Sequence, residues 1–327
     1  MVLNKPPHVA IIVTNYNGLS IKYKSKSIIW YTLNSLRKTR YKNMSVIFAD
    51  DSSTDESIKY VKQKFPEVKI LINKPNGGYT KNANNGIRYA IEKLHPDYVM
   101  TMNNDIIILD KDWLVKLVTA AESYPECGVI GPKLLYPNGR LQQAGITKIG
   151  PMIRNRGWNE KDASMYNKTE KVAAVGGVAL LIKTFVFKKT GILDENFFMG
   201  SDDVEFCARA AKAGFGILYV GSAEVIHLEG FTSKKVSSAK GKDFWFPIFI
   251  TNNIYFAFKH LAKIQITEAI FLAILSSIVG IGNRDVSLSS IQFKDRIPWR
   301  LSVSLHAILN GYLLYKGKIS RKKAYGL

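Results

Sequence analysis

Cysteine is nearly absent. Of 327 residues only Cys127 and Cys207 are cysteines, which excludes a disulfide framework and a cysteine-rich zinc site and leaves two reduced, buried thiols as the expectation. Both common phosphate-loop fingerprints are missing as well. No G-x-G-x-x-G follows the first strand-like run and no G-x-x-x-x-G-K-[ST] occurs anywhere, which argues against a dinucleotide dehydrogenase and a P-loop NTPase. The start MVLNKPPHVAIIV passes from Lys5, Pro6 and Pro7 into an apolar run with no small-residue cleavage site. A cytoplasmic catalytic part is therefore expected. Acids are scarce: 26 Asp and Glu stand against 46 Lys and Arg, for a net charge of +20. Such a field points to an anionic partner, whether nucleic acid, a membrane surface or a phosphorylated ligand.

The remaining composition, 46% hydrophobic and 22% charged, is that of a globular chain with a proper core. Strand and helix signals alternate in its N-terminal part. HVAIIVTNY (8–16), MSVIFADDSS (44–53), VKILIN (68–73) and YVMTMN (98–103) read as strands, and SIIWYTLNSLRKT (27–39) and NANNGIRYAIEKL (82–94) carry helical spacing. A further helix follows Ser53, Thr54, Asp55 and Glu56, which supply cap and first-turn chemistry. Strands separated by helices predict a mainly parallel sheet flanked by helices, with ligands outside its carboxyl edge.

All four strands end in polar clusters: Thr14 to Gly18, Asp50 to Ser53, Asn73 to Tyr79, and Asn103-Asn104-Asp105. Together they would line one cleft of nucleotide size. The last cluster interrupts the apolar stretch YVMTMNNDIII, and an unpaired carboxylate is costly to bury. Farther along, FMGSDDVEFCARA puts Asp202, Asp203 and Glu205 at the start of a helix, where acids also suit the helix dipole. Gly176 and Gly177 precede VALLI and either admit a close backbone approach or form a turn. His227 ends the run AEVIH.

Taken together, VTNYN, ADDSSTDES, NKPNGGYTKNANNGI, MNND and FFMGSDDVEFCARAAKAGF resemble family 2 glycosyltransferases of the GT-A fold, in particular their rhamnosyltransferase-like branch. The resemblance runs from about His8 to Lys263. It implies an inverting glycosyltransferase that takes a sugar from a nucleotide-diphospho-sugar, with UDP or dTDP as carrier, to a glycan or lipid-linked acceptor. By the same resemblance Tyr16 and Asp51 contact the base, while Asn76, Gly78, Asn84 and Asn104 lie along the donor. Asp105 ends the D-x-D motif and, with His227, implies a divalent metal, Mn²⁺ or Mg²⁺. Asp203 corresponds to the base, and Asp202, Gly176 and Gly177 to the acceptor side. Asn103 departs from the pattern, standing where the first acid of D-x-D would be.

The expected organisation is a GT-A catalytic domain over 1–230, with a nucleotide-binding half (1–110) and an acceptor half (111–230), then a basic, amphipathic helical region over 231–327. That last region carries 15 Lys and Arg against 4 Asp and Glu. Its apolar runs, FWFPIFITNNIYFAFKHLAK (244–263) and ITEAIFLAILSSIVGIG (266–282), are interrupted by polar residues and fall short of a membrane span. Aromatics flanked by lysines suit helices lying in a membrane interface, which predicts peripheral contact at the inner face of the cell membrane. Two other readings compete: a non-catalytic sugar-nucleotide binder, from the NND motif, and a basic nucleic-acid-binding protein, from the charge. No nucleic acid is expected as partner if the family resemblance holds.

Overall fold

The computed structural model describes residues 6–228, 244–279 and 297–326. The basic segment 231–242 lies outside the described residues. The chain divides into two compact units, one of Met1–Ile149, Arg154–Glu195 and Asp202–Lys235, the other of Gly150–Ile153, Asn196–Ser201 and Val236–Leu327.

In the first unit the chain runs through β1 (Val9–Asn15), the small hairpin β2 (Lys22–Tyr23) and β3 (Lys26–Ser27), α1 (Ile28–Arg37), β4 (Met44–Asp50), α2 (Ser57–Lys64), β5 (Lys69–Ile72) and α3 (Gly78–Tyr89). It continues through β6 (Tyr98–Asn103), β7 (Ile106–Ile107), α4 (Trp113–Ser123), β8 (Cys127–Leu135), β9 (Leu141–Gln143), β10 (Thr169–Val172), β11 (Ala179–Lys183), α5 (Phe187–Thr190), α6 (Asp202–Lys212) and β12 (Gly216–His227). The main sheet has the order β10-β12-β8-β11-β6-β1-β4-β5, with β7 added to β12 and β9 to β8. As the alternating pattern predicts, β1 lies parallel between β4 and β6, and β5 parallel to β4. Val9 to Val13 are completely buried, which is what a strand covered by helices on both faces requires.

Two strand directions place the functional residues. Register in the parallel part sets Asn15 beside Asp50 and Thr14 beside Asn103, so the polar ends share one edge. Strand β11 enters antiparallel between β6 and β8. It therefore starts where β6 ends, and Gly176 and Gly177, just before it, reach the same edge. Strand β12 runs parallel to β8 and finishes with His227 opposite Ile106 of β7.

Helix α3 begins at Gly78, four residues before the helical spacing predicts. Gly77 has no side chain to cap it; instead the Asp51 carboxylate accepts the N–H groups of Gly77 and Gly78, at 2.9 and 2.8 Å. Both are donors that a helix start leaves unpaired, and the negative charge sits at the positive end of the helix dipole. Both cysteines are free and buried, as expected, and burial pushes the Cys207 thiol up to about 12.

The second unit contains the helices Trp245–His260, Lys263–Val279, Ile297–Tyr315 and Arg321–Tyr325. Its core is built from Ile250, Ile254, Ala257, Ala269 and Ala307. Within this unit Asn252 donates to the carbonyls of Met199 and Gly200, and the Tyr325 hydroxyl meets both the Asn196 carbonyl and Asn252 Oδ1. No helix among the described residues is long and apolar enough to cross a membrane.

Close packing of α3 on β1 gives a stability test. A Cβ at Gly86 would stand 2.4 Å from Ile12 Cγ2, a branched methyl on a fully buried strand with little room to move. Gly86→Ala should destabilise the protein by about 1–3 kcal/mol through overpacking, outweighing the roughly 1 kcal/mol that alanine gains in helix propensity. Urea unfolding of the two proteins measures the difference; a more stable variant would contradict this packing.

Candidate active site

The nucleotide-side loops are tied to one another by short polar side chains. Asn17, in the left-handed region at φ 53°, uses Oδ1 to accept the N–H groups of Thr54 and Asp55. Asp50 accepts from Asn15 Nδ2, from the Ser53 hydroxyl and from the Ser53 N–H. These bonds fix the turn that presents Asp51. Tyr16 sits just past the end of β1 with 38% of its surface exposed, open to a flat ring. Asn76 is exposed and donates to the Asp51 carbonyl at 2.9 Å.

Two of the expected donor-side amides face inward. Asn104 donates to Asn15 Oδ1 at 2.5 Å beside Gly18, where an added Cβ would collide with both side chains. Asn84 is fully buried, exchanges two hydrogen bonds with the Leu193 backbone and donates to Glu195. Its amide thus brackets the 193–195 loop.

Asp105 and His227 come together, 122 residues apart in sequence. Asp105 Oδ1 lies 3.1 Å from His227 Nε2, and Asn103 Nδ2 lies 3.3 Å from the same ring nitrogen. On its other side His227 Nδ1 is 3.0 Å from Gln142 Oε1. Asp105 also accepts the Leu228 N–H through its backbone carbonyl, extending the β7–β12 pairing. Both side chains are buried. A carboxylate oxygen and an imidazole nitrogen facing each other make a donor set that suits Mn²⁺ or Mg²⁺, ions that complete their shells with water and phosphate oxygen. No cluster of three His, Cys, Asp or Glu occurs among the described residues, so the protein would supply two ligands.

On the opposite side stands Asp203, in the first turn of α6. Its Oδ2 accepts the Gly177 N–H at 2.6 Å and its Oδ1 the Val204 N–H at 2.8 Å. The absence of a side chain at Gly177 permits this close approach, since a Cβ there would lie 3.0 Å from the Asp203 Cβ. Burial raises the Asp203 carboxyl above the usual range, against the pull of those backbone donors. Asp202 beside it is buried, while Asp203 itself is half-buried. Glu205, the third acid of this turn, is spent on Arg209, which also clamps the carbonyls of Thr190 and Ile192.

Tyr79 joins the two sides. Its hydroxyl donates to the Gly177 carbonyl at 3.4 Å, and its ionisation is pushed well above normal, first by burial and then by Asp202, with smaller effects from Asp203 and Asp105; a hydrogen bond with Thr101 acts the other way. It remains a neutral phenol amid carboxylates. Sequence patterning did not single out Gln142 and Gln143. They follow each other on β9, in LQQAG, and face apart: Gln142 reaches His227, while Gln143 donates to Asn155 and lies against Gly176. Two adjacent amides in a short, fully buried strand left no pattern in the sequence to find them by.

The arrangement sets a carboxylate against an imidazole at one side and a carboxyl of raised pKa at the other. Residues 10–189, more than half of the chain, match the family model described as Glycosyl transferase family 2. The chain is 29% identical over 219 residues to the N-acetylglucosaminyl-diphospho-decaprenol L-rhamnosyltransferase of Mycobacterium tuberculosis, covering 60% of this chain and 70% of that one. It is 26% identical over 181 residues to a low-salt glycan biosynthesis hexosyltransferase of Haloferax volcanii, covering 55% and 58%. In fold it is similar to GalNAc-T7 crystallised with UDP, GalNAc and Mn²⁺, at TM-score 0.55, 15% identity, and coverage of 74% of this chain and 50% of that one. The S. aureus TarS 1–349 structure in complex with UDP gives TM-score 0.55 at 16% identity, covering 98% and 87%. With its mainly parallel sheet and a family match over the strands that carry the site, the chain belongs to glycosyl transferase family 2 and has the GT-A fold.

Proposed function

We propose that this enzyme is an inverting, metal-assisted glycosyltransferase that moves a sugar from a nucleotide-diphospho-sugar to a hydroxyl of a glycan or lipid-linked acceptor. One observation carries the reading: a cation-competent pair, Asp105 and His227, and a separate carboxyl of raised pKa, Asp203, are joined through Tyr79 and Gly177. Asp105 and His227 would hold Mn²⁺ or Mg²⁺, whose positive charge stabilises a departing diphosphate. Asp203 accepts the proton of the acceptor hydroxyl as its oxygen bonds to the anomeric carbon. The bond from that carbon to the diphosphate oxygen breaks, and its electron pair leaves with the nucleotide. Attack from the face opposite the leaving group inverts the centre.

The nucleotide base stacks on Tyr16 and meets Asp51, with UDP or dTDP as the expected carrier. Asn76, Gly78 and Asn104 border the donor, and Asn84 supports that wall from behind. Asp202, Gly176 and Gly177 border the acceptor. The Mycobacterium tuberculosis relative is named for a decaprenol-linked acceptor, which supports a lipid-linked acceptor here.

The helices of the second unit favour such a surface. Ile264, Phe271 and Ile278 recur every seven residues and are exposed, and so are Trp299, Leu305 and Leu309. The two helices bearing them meet through Ser277 and Ser304, and the region 231–327 carries a large excess of Lys and Arg. Apolar burial and attraction to anionic headgroups would add in interfacial binding.

Asp203→Asn should lower kcat by about 10²–10⁴ while leaving nucleotide affinity unchanged, measured as donor consumption with a panel of sugar nucleotides; activity within twofold of wild type would remove Asp203 as base. Because the base must be ionised and its pKa is raised, kcat should fall as pH drops through a midpoint above the ordinary carboxylate range. A rate flat down to that range would contradict this assignment. In flotation with anionic vesicles the wild type should co-migrate, and a Phe271→Ser, Leu309→Ser double variant should be released; equal flotation of both would refute the membrane contact.

A further inference from the structure

Buried polar side chains in the first unit mostly serve the wall they stand in. Lys133, completely buried, is paired with Asp162 and Glu224, and the Glu205–Arg209 pair holds a loop. Gln142 is different, because its side chain meets a residue of the proposed metal site. It is 6% exposed and His227 8%, and Gln142 Oε1 lies 3.0 Å from His227 Nδ1.

We propose that Gln142 is a positioning residue that holds His227 in the tautomer with hydrogen on Nδ1 and aims Nε2 at Asp105. A side-chain carbonyl can only accept, so Nδ1 carries the hydrogen, and a neutral imidazole then presents a lone pair at Nε2. On the other side of the ring the Asp105 carboxylate, 3.1 Å from Nε2, calls for a cation or a proton between the two. Asn103 directs its amide nitrogen, a donor, at Nε2 from 3.3 Å. Backbone geometry supplies the approach: Leu135, the last residue of β8, is paired with Leu141 of β9 and with Ile226 of β12. The residues that follow these two partners are Gln142 and His227, so two sequence-distant strands deliver the pair together.

This rests on the reading of Asp105 and His227 as metal ligands, and the test separates the two. Mn²⁺ alone would be titrated into the full chain, with free Mn²⁺ followed by electron paramagnetic resonance, for wild type, Gln142→Met, Gln142→Glu and His227→Ala. Gln142→Met keeps the length of the side chain but removes the acceptor, and should weaken Mn²⁺ binding by about 10- to 100-fold. Gln142→Glu retains an acceptor and should recover most of the affinity, which a merely space-filling role would not predict. If His227→Ala loses Mn²⁺ but Gln142→Met binds like wild type, the positioning role is wrong and the metal site stands. If His227→Ala binds like wild type, the metal reading fails and takes the proposal with it. Nitrogen-15 spectra of the metal-free wild type give a readout free of any folding defect: hydrogen on Nδ1 supports the proposal, and an Nδ1 without hydrogen overturns it.

Discussion

The pairing of β6 with the antiparallel strand β11 is the constraint on which the site depends. Met102 faces Ala179, and the Asn103 N–H bonds to the Val178 carbonyl at 3.0 Å. This register sets the distance between the NND turn, which carries Asp105, and Gly177, which carries Asp203. A slip of one residue would exchange the two faces of β11 and take Gly177 away from both Asp203 and Tyr79. The parallel strands bring the donor-side loops to the edge; the antiparallel strand β11 brings the acceptor-side glycines to meet them.

Charge is arranged around this junction with little waste. Three carboxylates, Asp105, Asp202 and Asp203, act on one buried phenol, an arrangement that is tolerable because Tyr79 stays neutral. Asp105 has His227 beside it, and Asp203 has two backbone N–H groups. Among the described residues neither acid forms an ion pair with Lys or Arg. Acids left in that condition favour an incoming cation at one position and a proton at the other, which are the two things that glycosyl transfer from a diphosphate requires.

Much of this was legible in the sequence. The four polar strand ends lie on one edge because parallel strands must end together, and Asp202 and Asp203 open a helix as their spacing predicts. His227 ends its strand as the run AEVIH foretells. What could not be read was carried by contacts between distant segments. The start of α3 is set by Asp51, from the loop after β4, and not by a local cap. Asn84 looked like a ligand-side amide in a polar helix, yet its partners Leu193 and Glu195 are more than a hundred residues away. Gln142 carried no motif at all. The grouping of Gly150–Ile153 and Asn196–Ser201 with the C-terminal unit likewise follows no shift in composition.

Nucleotide binding measured by calorimetry is the most direct test of the central claim that Asp105 anchors a cation which in turn holds a diphosphate. UDP, dTDP and GDP would be titrated into wild type and Asp105→Ala, each with and without Mn²⁺. One nucleotide should bind the wild type in a Mn²⁺-dependent manner, and that dependence should vanish in the variant. Equal binding with and without the ion, or an Asp105→Ala protein that binds as wild type does, would contradict it.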